Sequence, residues 1–181
     1  MTRELELVEL VDAAGAATGE STVEAAHTAP GLLHRAFSVL LVDPGGRTLL
    51  QRRAVTKTRF PARWANSCCG HPGPGERVVE AASRRLGEEL GLRSGDLTEV
   101  GVYVYRAADP ATGRVEHEYD HVLVARVAAD AALAPDPAEV AEVAWVDPAD
   151  LRGALDGRPD DYAPWLAGVL GVAADGGLLP G

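Results

Sequence analysis

Apolar and polar positions alternate along most of this chain, and the alternation divides it into strands. Leu5 to Asp12 ("LELVELVD") alternates at period two, as a half-buried strand does, and a turn is expected from Asp12 to Gly19. Residues 35–43 ("RAFSVLLVD"), the turn "PGG" and residues 47–53 ("RTLLQRR") predict a β-hairpin. Two long β-rich runs follow, "LTEVGVYVYRA" and "RVEHEYDHVLVARVA", around a loop that holds Asp109, Pro110 and Gly113. "EVAEVAWVD" reads as a further strand. Helical spacing is clearest from Val78 to Leu90, where Val78, Ala81, Ala82, Leu86 and Leu90 share a face and Gly91 supplies a C-terminal stop. "PADLRGAL" and "DDYAPWLAGVL" predict short helices, and residues 171–181 have little to order them. With no internal repeat and no linker, residues 1–181 are expected to form one α+β domain, a mixed β-sheet flanked by helices.

Composition narrows the partners. The 181 residues are 46% hydrophobic, enough for one domain with a sizeable core. With 17 basic and 27 acidic residues the formal charge is −10, which disfavours nucleic acid and anionic lipid. No apolar run approaches the roughly 18 residues that span a bilayer. The N-terminus lacks a secretory pattern, so a cytoplasmic protein is expected. No long apolar edge or heptad stands out, and a monomer is the default expectation. Against the acidic background, Arg52, Arg53, Lys57, Arg59 and Arg63 are concentrated in one stretch, as an anionic substrate would require.

Both cysteines lie side by side in "NSCCGHP", residues 66–72. Adjacent cysteines do not close an ordinary disulfide, and no second pair at zinc spacing accompanies them. A free thiol beside a histidine remains.

From Gly70 the chain reads Gly70, five residues, Glu76, seven residues, then Arg84-Arg85-Leu86-Gly87-Glu88-Glu89-Leu90-Gly91-Leu92. This resembles the Nudix box, with eight of nine specified positions matched. The mismatch is Arg85, where Nudix hydrolases carry a glutamate, and a cation there suits direct contact with phosphate more than a hydrolytic metal cluster. Together with "AAHT", "LLHRAFS", "QRRAVTK", "YRA", "EHE" and "NSCCGHP", the chain resembles the type 1 isopentenyl-diphosphate isomerases, a family of the Nudix fold, from about Leu5 to Trp165.

The resemblance implies a metal site of His27, His34, His71, Glu116 and Glu118. Period two puts both glutamates on one strand face and His117 on the other. Imidazoles with one or two carboxylates suit Zn²⁺ or Mn²⁺. His117 and His121 are read as structural. By resemblance Cys69 and Glu118 carry protons on opposite faces of a prenyl diphosphate, and Tyr105 assists Glu118. The ring of Trp165 would stabilise the carbocation. Arg53, Lys57 and Arg85 would bind the diphosphate, and Glu89 a Mg²⁺ ion carried with it. Cys68 is expected to be a buried neighbour, since adjacent strand residues face opposite ways.

One departure stands out. Four residues before His27 the family carries a lysine, and this chain has Val23. The change leaves open a longer prenyl diphosphate that is protonated and cyclised. A Nudix diphosphate hydrolase, or a binder without turnover, is the remaining alternative.

Overall fold

The computed structural model describes residues 3–92, 96–128 and 130–177. Its elements in chain order are β1 (Leu7–Val11), β2 (Ala17–Thr22), α1 (Val23–Ala26), β3 (His34–Val42), β4 (Thr48–Arg53), β5 (Trp64–Ala65), β6 (Cys68–Gly70), α2 (Val78–Leu90), β7 (Thr98–Ala108), β8 (Val115–Arg126), β9 (Val140–Val146), α3 (Pro148–Gly157) and α4 (Leu166–Asp175). The fold is α+β, with a mixed sheet between helices.

β3 is central. It runs parallel to β8 from His34↔Glu118 to Val42↔Arg126, and antiparallel to β6 through Ser38↔Cys69. β7 pairs antiparallel with β8, and β4 with β9 and β5. Because both faces of β3 are covered, its sequence is a nearly continuous apolar run. Phe37, Val39 and Leu41 face the cluster that holds Ala81, Ala82, Leu86 and Leu90 of α2. Leu40 and Val42 face the cluster that holds Leu166, Val169, Leu170 and Ala173 of α4. Gly91 ends α2 in the left-handed region, at φ 67°, as its position past the last apolar residue predicts.

Three expectations are corrected. The turn expected from Asp12 to Gly19 is shorter, because β2 begins at Ala17 and pairs with β1. Its residues Ala17 to Glu20 are exposed, so no apolar alternation marks it. The expected hairpin closes only at Val42↔Thr48, after which β3 and β4 part to different neighbours. The last helix begins at Leu166 and continues to Asp175, because Val169, Leu170 and Ala173 bury its inner face. It thus runs into the segment expected to lack order, of which residues 178–181 lie outside the described residues. No helix among the described residues is long and apolar enough to cross a membrane.

Candidate active site

Sheet register assembles the site. Tyr105 pairs with Glu118 across β7 and β8, and Glu118 pairs with His34 across β8 and β3. Cross-strand neighbours project from the same face, so three distant positions become one row. His27 follows α1, and Val115 N donates to its carbonyl at 2.9 Å, tying it to the start of β8. His71 follows β6. Gly70 between Cys69 and His71 is required by close packing, since a Cβ there would lie 2.8 Å from Phe37 Cζ.

The ligand atoms of His27, His34, His71 and Glu118 lie within 4.8 Å of one another. Nδ1 of His27 contacts Val23 O at 2.7 Å, and Nδ1 of His34 contacts Leu32 O at 2.8 Å. Carbonyls only accept, so each Nδ1 carries a proton, and Nε2 is the ring atom that faces the cluster. Both Nε2 atoms, and Glu116 Oε2, are buried without a hydrogen-bond partner. His27 Nε2 and Glu116 Oε2 nevertheless approach to 2.8 Å. Buried polar atoms aimed at one another without hydrogen-bond geometry, in a set of imidazoles and carboxylates, fit a divalent metal ion. Of the five residues expected to hold a metal, His27, His34, His71 and Glu118 form this group, and Glu116 adjoins it through His27.

The cluster perturbs its members strongly. Burial acts against the charge on His27, but the carboxylates of Glu116 and Glu118 outweigh it and push His27 up to about 9. Burial pulls His71 down to about 4, against its contact with Glu118. Burial alone would raise Glu118, yet the three imidazoles hold it well below the usual carboxylate range. Its Oε1 lies 3.1 Å from His71 Nε2, and its Oε2 accepts from Tyr105 Oη at 2.6 Å.

A cavity of about 430 Å³ opens beside this row, lined among others by Val23, Cys69, His71, Tyr105, Glu118 and Trp165. Cys69 and Cys68 are free thiols on opposite faces of β6. Cys68 is fully buried against the α2 side, whereas Cys69 packs toward the α4 side. Burial pushes the Cys69 thiol up to about 12. Tyr105 lies 5.9 Å and Phe60 5.4 Å from the Trp165 ring, centroid to centroid. His117 contacts Gly31 O and His121 contacts Glu99, away from the cluster, as expected of structural residues.

Arg53, Lys57 and Arg85 line the cavity, together with Arg59 and Arg84. Arg53 donates to Arg59 O and Phe60 O and lies 5.5 Å above the Trp165 ring. Glu89, expected to serve a Mg²⁺ ion carried with the diphosphate, is buried beside the basic residues of the cavity. It is only 1% exposed, lies behind the cavity wall, and pairs with Arg85, Lys57 and Gln51. A carboxylate so deeply buried needs such partners. Arg59, a candidate to replace the cation missing at Val23, has its guanidinium 2.9 Å from Glu4 and 3.4 Å from Glu116. Asn66, in the "NSCCGHP" motif, carries no signal of a role in its residue type, and only the fold brings it to Cys69 and Trp165.

The NUDIX domain family matches residues 32–167, more than half of the chain. The chain therefore belongs to the NUDIX superfamily. It is similar at 62% identity to an isopentenyl-diphosphate Delta-isomerase of Nocardia farcinica, over 92% of this chain and 93% of that one. Another of that name from Streptomyces coelicolor is 47% identical, over 95% and 85% of the two chains. Within the superfamily the chain belongs to the isopentenyl-diphosphate Delta-isomerase family. A crystal structure of DR0079 from Deinococcus radiodurans shares the fold at a TM-score of 0.70 and 20% identity, covering 91% of this chain and 97% of that one.

Proposed function

We propose that the protein interconverts isopentenyl and dimethylallyl diphosphate. The observation that carries this reading is one cavity lined by both proton carriers, Cys69 and Glu118, by an aromatic wall, and by Arg53, Lys57 and Arg85. One carrier gives a proton to the terminal alkene carbon, producing a tertiary carbocation. The other removes a proton from C2, and the new double bond forms between C2 and C3. Cys69 keeps its proton at neutral pH because it is buried. The Tyr105 hydroxyl is likewise held protonated, by burial and by Glu118, so it steadies Glu118 Oε2 as a donor. The Arg53 guanidinium lies over the π face of Trp165, which supports reading this ring as one that accepts positive charge. Such a ring stabilises a desolvated cation by about 2 kcal/mol.

His27, His34, His71, Glu116 and Glu118 would hold Zn²⁺ or Mn²⁺. When bound, that ion supplies fixed positive charge that keeps the imidazoles neutral and anchors Glu118. Arg53, Lys57 and Arg85 bind the diphosphate oxygens. Glu89 would serve a Mg²⁺ ion brought by the diphosphate. Arg59 adds a cation on the side of the cavity where Val23 offers none. The acidic charge and the two free thiols suit a monomeric cytoplasmic enzyme with no nucleic-acid or membrane partner.

Purified protein given isopentenyl diphosphate with Mg²⁺ and either Zn²⁺ or Mn²⁺ should form dimethylallyl diphosphate. No conversion under any metal combination overturns the reading. Val23 in the cavity wall favours one second reading, a longer prenyl diphosphate as substrate. Geranyl and farnesyl diphosphates assayed in parallel, with products resolved, distinguish the two.

A further inference from the structure

Asn66 lies in the turn between β5 and β6, three residues ahead of Cys69, and its side chain is fully buried. Its Oδ1 accepts from Cys69 Sγ at 3.1 Å and from Trp165 Nε1 at 2.9 Å. Its Nδ2 donates to Cys68 O at 2.8 Å and to Val39 O at 3.2 Å. Both protons and both lone pairs of the amide are thereby used. The orientation of the amide follows from its partners. An indole Nε1 only donates and the two carbonyls only accept, so a flipped amide would lose at least three of the four contacts.

We propose that Asn66 is a positioning residue for the isomerase reaction, holding the Cys69 thiol and the Trp165 ring in fixed relation through one shared oxygen. The inference rests on the isomerase reading of the site. Its physical basis is that the proton carrier and the cation-stabilising ring belong to elements 96 positions apart, Cys69 on β6 and Trp165 at the start of α4. A thiol has free rotation about its Cα–Cβ bond and makes only weak hydrogen bonds, so packing alone leaves its aim loose. A rigid acceptor anchored to two strands by its own N–H groups removes that freedom. Ser38 Oγ makes a longer contact with Cys69 Sγ, at 3.8 Å, than Asn66 Oδ1 does at 3.1 Å. The indole also packs nearly perpendicular to Phe60, with ring centroids 5.4 Å apart. Because Oδ1 accepts from both groups, displacement of either is felt by the other.

The experiment compares Asn66→Ala and Asn66→Asp in steady-state turnover of isopentenyl diphosphate and in thermal melting. Both variants lose the Nδ2 amide, and both should melt below wild type. Only alanine removes the acceptor. In Asn66→Ala, kcat should fall by roughly 100-fold, the cost of about an ångström of misplacement at the reacting centre. KM should stay within about threefold, because the diphosphate is bound elsewhere in the cavity. Asn66→Asp keeps an acceptor oxygen and should recover kcat to at least roughly tenfold above the alanine variant. If Asn66→Ala does not fold, Asn66→Ser, whose hydroxyl stops short of both donors, is read in the same way. An alanine or serine variant with kcat within about twofold of wild type, kcat and KM worsening together, or equal kcat in the aspartate and alanine variants would each overturn the positioning role. Wild-type protein inactive on isopentenyl diphosphate overturns the isomerase reading and the proposal with it.

Discussion

Tyr105 Oη donates to Glu118 Oε2 at 2.6 Å, while Oε1 of the same carboxylate faces His71 Nε2 at 3.1 Å. One oxygen of Glu118 therefore faces the imidazole cluster and the other the tyrosine hydroxyl. Removing the tyrosine hydroxyl should affect only the second. Tyr105→Phe is expected to keep full metal content, measured by elemental analysis, and to lower kcat by roughly 10–100-fold, the range of a general acid–base contribution. Loss of metal in this variant would show that the hydroxyl serves the cluster instead. Glu118→Gln should lose turnover while retaining part of the metal, because His27, His34 and His71 remain.

The two cysteines should behave oppositely on substitution. Cys69→Ala should abolish isomerisation with the melting temperature and metal content nearly unchanged. Cys68 has no exposed surface and sits among Phe37, Leu49 and Leu86. Cys68→Ala should accordingly cost about 1 kcal/mol of stability and leave kcat within about twofold. Exchanged phenotypes would mean that the thiol facing the cavity has been misassigned.

His27, His34 and His71 each contribute an imidazole to one cluster. His34→Ala leaves four of the five proposed donors and should lower bound Zn²⁺ or Mn²⁺ and turnover in proportion. A strong chelator should inactivate the wild-type protein, and adding back either ion should restore it. Full metal occupancy in alanine variants of all three histidines would remove the proposed site.

Arg59 should carry part of the diphosphate affinity that Val23 does not supply. Both residues line the cavity, and Val23 also packs with Val8 and Ala26 in a small apolar cluster. Losing one charge-assisted hydrogen bond weakens binding by about 1.5–3 kcal/mol, or roughly 10–100-fold. Arg59→Ala should therefore raise KM by that factor with a smaller effect on kcat. Val23→Lys should produce little tightening while Arg59 is present, and a larger gain in the Arg59→Ala background. Unchanged KM in Arg59→Ala would assign Arg59 to its partners Glu4 and Glu116 alone.

Asp109 supports the aromatic wall from outside the cavity. Its carboxylate accepts from Phe60 N at 2.8 Å, Ala111 N at 3.0 Å and Thr112 Oγ1 at 2.7 Å. Phe60 has a φ of 44°, a left-handed conformation that a bulky residue keeps only when held. Burial would raise the Asp109 carboxyl, but these donors, first the Thr112 hydroxyl, hold it below its usual value. A depressed carboxyl stabilises the fold above its unfolded value, near pH 4, and that contribution fades as pH falls through the folded value. Asp109→Asn should cost about 1–3 kcal/mol at pH 7. In thermal melts the gap between variant and wild type should narrow below about pH 4. A gap independent of pH would show that the charge contributes nothing.

Local periodicity already determined much of this protein. Period two placed Glu116 and Glu118 on one face and turned His117 away, because backbone pleating alone sets that alternation. The α2 face and its Gly91 stop were equally legible, since helix spacing and a left-handed cap are properties of a few consecutive residues. The Nudix spacing and the "NSCCGHP" motif identified the chemistry from residue type and order. What the sequence left open depends on contacts between distant segments. β2 is exposed and carries no alternation to read, and β3 leaves β4 for β8 because its neighbours are chosen by burial of both faces. Glu89 has the residue type of a metal ligand, and only the fold shows that Lys57 and Arg85 are its partners in the buried interior. Asn66 is one polar letter in a motif, and its four hydrogen bonds exist only once β3, β6 and the start of α4 meet. Chain-local patterns encode which face a side chain takes. Which partner it finds there is settled by tertiary packing, because every buried polar group must be satisfied by whatever the fold brings beside it.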